Sequence, residues 1–284
     1  MTLVTRNRVS LSSDELPAFP DVVLKIQNTL NDSDAGLHHL CEAVEMDPVT
    51  AALVLSLANR AANSRGSKPV SSVFTAISLV GVSKVRELTT MINLASFVKG
   101  WGGEETLRAC WAHSLSVAVC SIEVALYTPT PVSMDTALVA GLLHDVGRLW
   151  LHRFEGTKYR ELSNMAWEEG ADTEVLERRH FGVDHGVIGG WLADRWLLPS
   201  DLINAISHHG DPTQGNGNTL ADVVHVGEVL CNALQLDDPQ RSRVVSICHA
   251  SCTKLGIDWG PDTQRLLGRI DARSRHTHAL FDRV

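Results

Sequence analysis

Apolar residues recur at helical spacing through almost the whole chain, and strand-like alternation is almost absent. That pattern confines the chain to packed helices. In LPAFPDVVLKIQNTLND, Val22, Val23, Ile26 and Leu30 share one face after Pro20. Asp47-Pro48 supplies a cap and a proline at the first helical position ahead of VTAALVLSLANRAAN. This segment is apolar on most sides and reads as a central helix. Ser71 or Ser72 caps VFTAISLVGVSKVRELTTMINLASFVKG, which Gly81 divides in two, with Ser83 capping the second half. From Glu104 onward, helices are expected at about 105–127, 134–152, 155–169, 172–181, 184–195, 199–209, 219–235, 240–254 and 261–274. The expected architecture is all-α, a two-lobed helical bundle. The glycine-rich GWGGEE segment separates a lobe of residues 1–103 from one of residues 104–284.

With 284 residues, 44% of them hydrophobic, the chain can bury a sizeable core. The formal net charge of −8 argues against a broad nucleic-acid surface, which needs a basic field. No apolar run reaches the ~18 residues of a membrane span. The opening MTLVTRNRVSLSSDELP lacks the ~7–15-residue apolar centre of a signal peptide. The expected setting is therefore cytoplasmic, away from membranes. Six cysteines occur without a CxxC pair, and most lie in apolar segments, so they read as small core residues in a reducing compartment.

The segment GLLHDVGRLWL, residues 141–151, places an imidazole and a carboxylate inside an apolar run. His144-Asp145 is one of four such pieces. His113 lies in CWAHSLSVAVC, His185 in FGVDHGVIGGWLADRW, and His208-His209 in AISHHGDP. Each sits on an expected helix or at its end, as in helical bundles whose sites are built from inward-facing side chains. Neutral imidazoles and carboxylates suit Fe, Mn, Zn or Ni. The bland reading makes each histidine a hydrogen-bonded core residue. For the whole set, unpartnered burial would cost several kcal/mol, which favours a shared cation. Gly189-Gly190 reads as a close helix approach rather than a phosphate loop.

On these residues the chain resembles the HD superfamily of metal-dependent phosphohydrolases, and more closely the HDOD domains found in bacterial signalling proteins. The resemblance spans roughly residues 14 to 215 and rests on four segments: LPAFPDVVLKIQNTLNDSDAGLHHLCEAVEMDPVTAALVLSLANRAAN, SSVFTAISLVGVSKVREL, AGLLHDVGRLWL and FGVDHGVIGGWLADRWLLPSDLINAISHHGDP. It implies an HD-like helical core. It assigns His113, His144 and Asp145 to a first metal set, and His185, His208 and His209 to a second. Glu228 stands where a distal aspartate closes the first set, with Asp222 and His225 as neighbouring alternatives. Arg148 takes the place of the lysine that follows the HD pair in the HD-GYP relatives, and is the expected phosphate contact. The GYP motif is absent, with HHGDPTQGNG in its place.

The resemblance implies a signal-transduction module acting through protein or ligand binding, with a divalent metal that a vestigial pocket would lack. Its partners would be signalling proteins or a nucleotide, and a homo-oligomer is compatible with this reading. The alternative is a metal-dependent phosphodiesterase, and a third reading is a structural adaptor.

Overall fold

The structure is a computed structural model that describes residues 3–28, 33–64, 69–101, 104–237 and 246–281. It is all-α, with no strand among the described residues. The chain divides into two compact units, Ala18–Val98 and Met1–Pro17 together with Lys99–Val284. The first 17 residues therefore pack with the later part of the chain.

The smaller unit carries the helices that follow the short α1 (Arg6–Ser12): α2 (Asp21–Asn28), α3 (Ser33–Met46), α4 (Pro48–Ser64), α5 (Val73–Val80) and most of α6 (Val82–Lys99). Its core gathers Ile26, Leu40, Val44, Val54, Ala58, Ile77 and Val85. Leu30, expected on the same face as Ile26, lies outside the described residues. The Asp47 carboxylate accepts the Thr50 N–H at 3.2 Å, capping α4. α4 is not the all-round buried helix that its composition suggests. It buries the stripe Thr50, Val54, Ala58 and Ala62, while Ala52, Ser56 and Arg60 are exposed. Alanine is indifferent to exposure, so composition overstated its burial. Asn59 uses its amide fully, donating to Leu55 O and Val70 O and accepting from Val70 N–H. Ser72 caps α5, and Gly81, with φ of 98°, ends it. α6 begins at Val82, so Ser83 lies inside the helix rather than at its cap.

The larger unit is organised around α7 (Glu104–Tyr127). The remaining helices are α8 (Met134–Leu143), α9 (Val146–Phe154), α10 (Gly156–Glu169), α11 (Thr173–Phe181), α12 (His185–Arg195), α13 (Ser200–His208), α14 (Thr219–Leu234), α15 (His249–Lys254) and α16 (Pro261–Phe281). α8, α14 and α16 pack on α7, and α12 packs on both α9 and α13. Contrary to the expectation that no apolar run is long enough, the stretch Ala109–Tyr127 has the length and composition of a membrane-crossing helix. It is 67% buried inside the protein, as a core helix is. α16 continues to Phe281, past the expected end at 274; residues 240–245 of the expected 240–254 helix lie outside the described residues, and residues 246–248 precede α15, which starts at His249. α1 docks through Trp150 Nε1, which donates to Ser12 Oγ at 2.9 Å, and through the Arg8–Glu155 ion pair.

Two departures from the expected helices shape the site. The helix anticipated at 134–152 breaks at the HD pair, because α8 ends at Leu143 and α9 starts at Val146. Asp145, at φ −95° and ψ 13°, sits in the break. Glycines then bring the surrounding helices close. A β-carbon on Gly147 would lie 1.9 Å from the His185 carbonyl oxygen, and one on Gly190 would lie 1.9 Å from Ser207 Oγ. Close approach is thus the role of Gly190.

Gly147→Ala forces α9 and α12 apart. Overpacking of this kind costs about 1–3 kcal/mol. The expected result is a lower urea midpoint with an unchanged m-value, measured by circular dichroism.

Candidate metal centre

The break between α8 and α9 turns the Asp145 carboxylate inward, and Asp145 is only 4% exposed. Imidazoles from other helices surround it. His185 Nε2 lies 3.3 Å from Asp145 Oδ1, and His209 Nε2 lies 3.9 Å from the same oxygen. His144 Nε2 and His113 Nε2 lie 3.7 and 3.9 Å from Oδ2. Glu228, on α14, places a carboxylate oxygen within 4.8 Å of ring nitrogens of His144 and His209.

The other nitrogen of each ring decides what faces the centre. His144 Nδ1–H donates to Gly141 O at 2.7 Å, and His209 Nδ1–H to Ile206 O at 2.9 Å. Each acceptor is the carbonyl three residues back, presented by the last turn of the preceding helix. His185 opens α12, and its Nδ1–H donates to Glu177 Oε2 at 2.7 Å. His113 Nδ1 meets Asp237 Oδ2 at 2.8 Å. With each Nδ1 holding the donor, Nε2 of the neutral His144 ring turns a lone pair toward the carboxylate, whereas Asp237 and Glu177 hold His113 and His185, against their burial, toward the protonated form. His185 Nε2 and His209 Nε2 stand 3.2 Å apart. The buried His113 Nε2 and His144 Nε2 have no hydrogen-bond partner among the described residues. The donors fall into three overlapping groups, His113–His144–Asp145, His144–His209–Glu228 and Asp145–His185–His209, and such nitrogen and oxygen sets fit divalent ions such as Fe, Mn, Zn or Ni.

Electrostatics agree with that arrangement. Burial opposes charge on Asp145, but Arg148 and the surrounding histidines hold its carboxyl well below the usual range. Arg148 Nη1 donates to Asp145 Oδ2 at 3.0 Å. Burial pushes His144 down to about 4, leaving a neutral ring. His185 feels the same burial, but the Glu177 carboxylate overrides it and raises His185 to about 9. A proton on His185 is one answer to the crowded acceptors, and a bound cation would displace it.

The expected residues divide as follows. His113, His144, Asp145, His185, His209 and Glu228 come together, while His208 stands apart. Half-buried, His208 directs Nδ1 to Asn204 O at 3.0 Å and joins none of the ligand groups among the described residues. Consecutive residues on a helix point about 100° apart, so only one of the pair faces inward. Asp222 is taken by Ser251 Oγ at 2.5 Å and Lys254 Nζ at 2.6 Å. His225 is satisfied at both nitrogens, by His209 O at 2.8 Å and Cys248 N–H at 3.0 Å. Glu228 is thus the α14 carboxylate facing the centre.

Three residues that the sequence reading missed support the ligands. Glu177, fully buried, accepts from His185 N–H, His185 Nδ1–H and the Tyr159 hydroxyl, the last at 2.7 Å. A signal for Glu177 existed, since it occupies the apolar stripe of α11 beside Leu176 and Phe181. Tyr159 similarly shares a stripe with Leu162 and Ala166. Asp237 lies beyond the end of α14 and carried no periodic signal. A cavity of about 540 Å³ adjoins the centre, walled by His113, Asp145, Arg148, Glu228, Asp237 and Trp167 among others.

Tyr159→Phe deletes one hydrogen bond to a buried carboxylate. The expected loss is about 1–3 kcal/mol of stability, measured by urea unfolding.

Comparison with known proteins places this geometry in a family. The HDOD domain model matches residues 16–212. An HDOD domain protein of unknown function from Geobacter sulfurreducens superposes with a TM-score of 0.75 at 26% identity, covering 97% of both chains. A candidate signal transduction protein from Marinobacter aquaeolei gives 0.73 at 22% identity, over 94% of this chain and 60% of that one. A candidate phosphohydrolase from Shewanella amazonensis gives 0.66 at 22% identity, over 94% and 97%. These last two likenesses show the shared fold. An uncharacterized protein of Treponema pallidum is 23% identical over 196 residues, which span 69% of this chain but only 38% of that relative. The chain belongs to the HDOD domain family.

Proposed function

We propose that this chain is a signal-transducing HDOD module that holds a divalent ion at the Asp145 centre and acts by binding a ligand or partner rather than by turnover. The observation that carries the metal reading is the convergence of Nε2 atoms, each with its Nδ1 committed elsewhere, on one buried carboxylate. Family membership supports the signalling role.

The cavity wall favours binding over turnover. A phosphoester leaving group needs a proton, and the non-ligand groups nearest the centre do not offer one. Arg148 keeps its proton at every physiological pH. The Tyr159 hydroxyl is given to Glu177, and its pKa is raised well above the ordinary value by burial and that carboxylate. Burial, with Arg148 beside it, pushes His152 down to about 4, so at neutral pH it has no proton to give.

A second reading, hydrolysis of a phosphodiester, draws on one feature. Arg148 Nε is buried without a hydrogen-bond partner among the described residues, at the edge of the cavity. A phosphate could take that donor while Nη1 stays on Asp145. An ion bound there would supply a hydroxide by lowering the pKa of its water toward ~7. This chain's part would be to orient the phosphate through Arg148 and to hold the His185 ring through Glu177.

Elemental analysis of untagged protein purified anaerobically, beside His144→Ala, tests both. The expected result is at least one Fe, Mn, Zn or Ni per chain, falling severalfold in the variant, with phosphodiesters hydrolysed no faster than background. Metal-free wild-type protein would overturn the metal centre. Metal-dependent turnover abolished in the variant would establish the second reading.

A further inference from the structure

We infer that Cys231, Asp237 and the Nδ1 face of His113 form a second cation site, with a thiolate ligand, suited to zinc or another borderline divalent ion. It stands on the opposite side of the His113 ring from Asp145 and does not depend on the Asp145 centre being occupied.

A helix ending builds it. α14 closes at Gln235, whose φ of 53° is left-handed, and Leu236 N–H donates to Cys231 O at 3.2 Å. This closure folds the chain back over the last helical turn. It returns Asp237 to Cys231, with Oδ1 3.9 Å from Sγ. His113, from α7, brings Nδ1 to 2.8 Å from Asp237 Oδ2. One donor atom from each residue lies within 4.8 Å of the other two. Tetrahedral zinc, with bonds of about 2.3 Å to sulfur and about 2.0–2.2 Å to nitrogen and oxygen, sets neighbouring donors roughly 3.3–3.5 Å apart. Asp237 now gives Oδ1 to Cys231 at 3.9 Å and Oδ2 to His113 at 2.8 Å, so a turn of its carboxylate that brings one oxygen toward both partners is what the geometry requires. His113 and Asp237 also border the cavity, which leaves a fourth position open to water or a ligand.

The donor set separates this site chemically from its neighbour. Nitrogen and oxygen alone surround Asp145, whereas a thiolate favours zinc over manganese or magnesium. The Cys120 thiol and burial keep the Cys231 thiol protonated far above its usual range. Ion binding therefore releases the thiol proton to solvent as the metal–sulfur bond forms, and the metal–nitrogen bond leaves His113 a neutral ring with its one proton on Nε2, any second proton also going to solvent; nothing is oxidised. A neutral imidazole serves one ion at a time, so His113 would be contested between the two sites.

Cobalt(II) titrated anaerobically into the full chain tests the inference. The expected result is a near-ultraviolet thiolate-to-cobalt charge-transfer band. It should be lost in Cys231→Ser and retained in a His144→Ala, Asp145→Asn double variant, which removes the other centre. X-ray absorption on zinc-loaded wild-type protein should show sulfur at about 2.3 Å, independent of whether any variant folds. A band that survives Cys231→Ser, or a zinc shell of nitrogen and oxygen alone, would overturn it.

Discussion

A carboxylate removed from water must find positive charge or hydrogen-bond donors nearby, and Asp145 sets that demand on the larger unit. Arg148 answers part of it with a single hydrogen bond from one helical turn away. The four imidazoles arrive from α7, the end of α8, the start of α12 and the end of α13. A site drawn from so many helices persists only if their packing is fixed. Gly147 shows how tightly: α9 and α12 meet there with no room for a methyl group. Core packing and site geometry are thus one constraint, since loosening that contact would carry His185 away from Asp145.

Helix termini do much of the positioning. His144 and His209 each follow the last residue of a helix, where free carbonyls await donors. Each ring takes the carbonyl three residues back and so satisfies a helix end while fixing its own tautomer. His185 begins a helix that Asp184 caps through Val187 N–H, and Arg178 pairs with the same cap. The local rules of helix ends therefore aim three rings at one point without any loop being specially strained.

Much of this was legible in the sequence, and the rest was not for identifiable reasons. Helical periodicity gave the all-α class and most helix limits. The histidines and Asp145 were visible because polar residues in apolar runs demand explanation, and the likeness to HDOD domains grouped them. The break at His144-Asp145 was not visible, as no proline or glycine marks those two positions and the interruption comes from tertiary packing. His208 and His209 are equivalent in the sequence, and only the helix phase at the end of α13 separates them. Glu177 could have been found by asking why a glutamate interrupts an apolar stripe. Asp237 could not, because its place depends on how the chain turns after Gln235.

The four rings differ in who holds them. His144 and His209 lean on main-chain carbonyls, which every residue type supplies, so no single side-chain replacement nearby deletes those partners. His185 and His113 lean on Glu177 and Asp237, which a single codon change can remove. The centre therefore has two rings whose partners one substitution can remove and two whose partners it cannot.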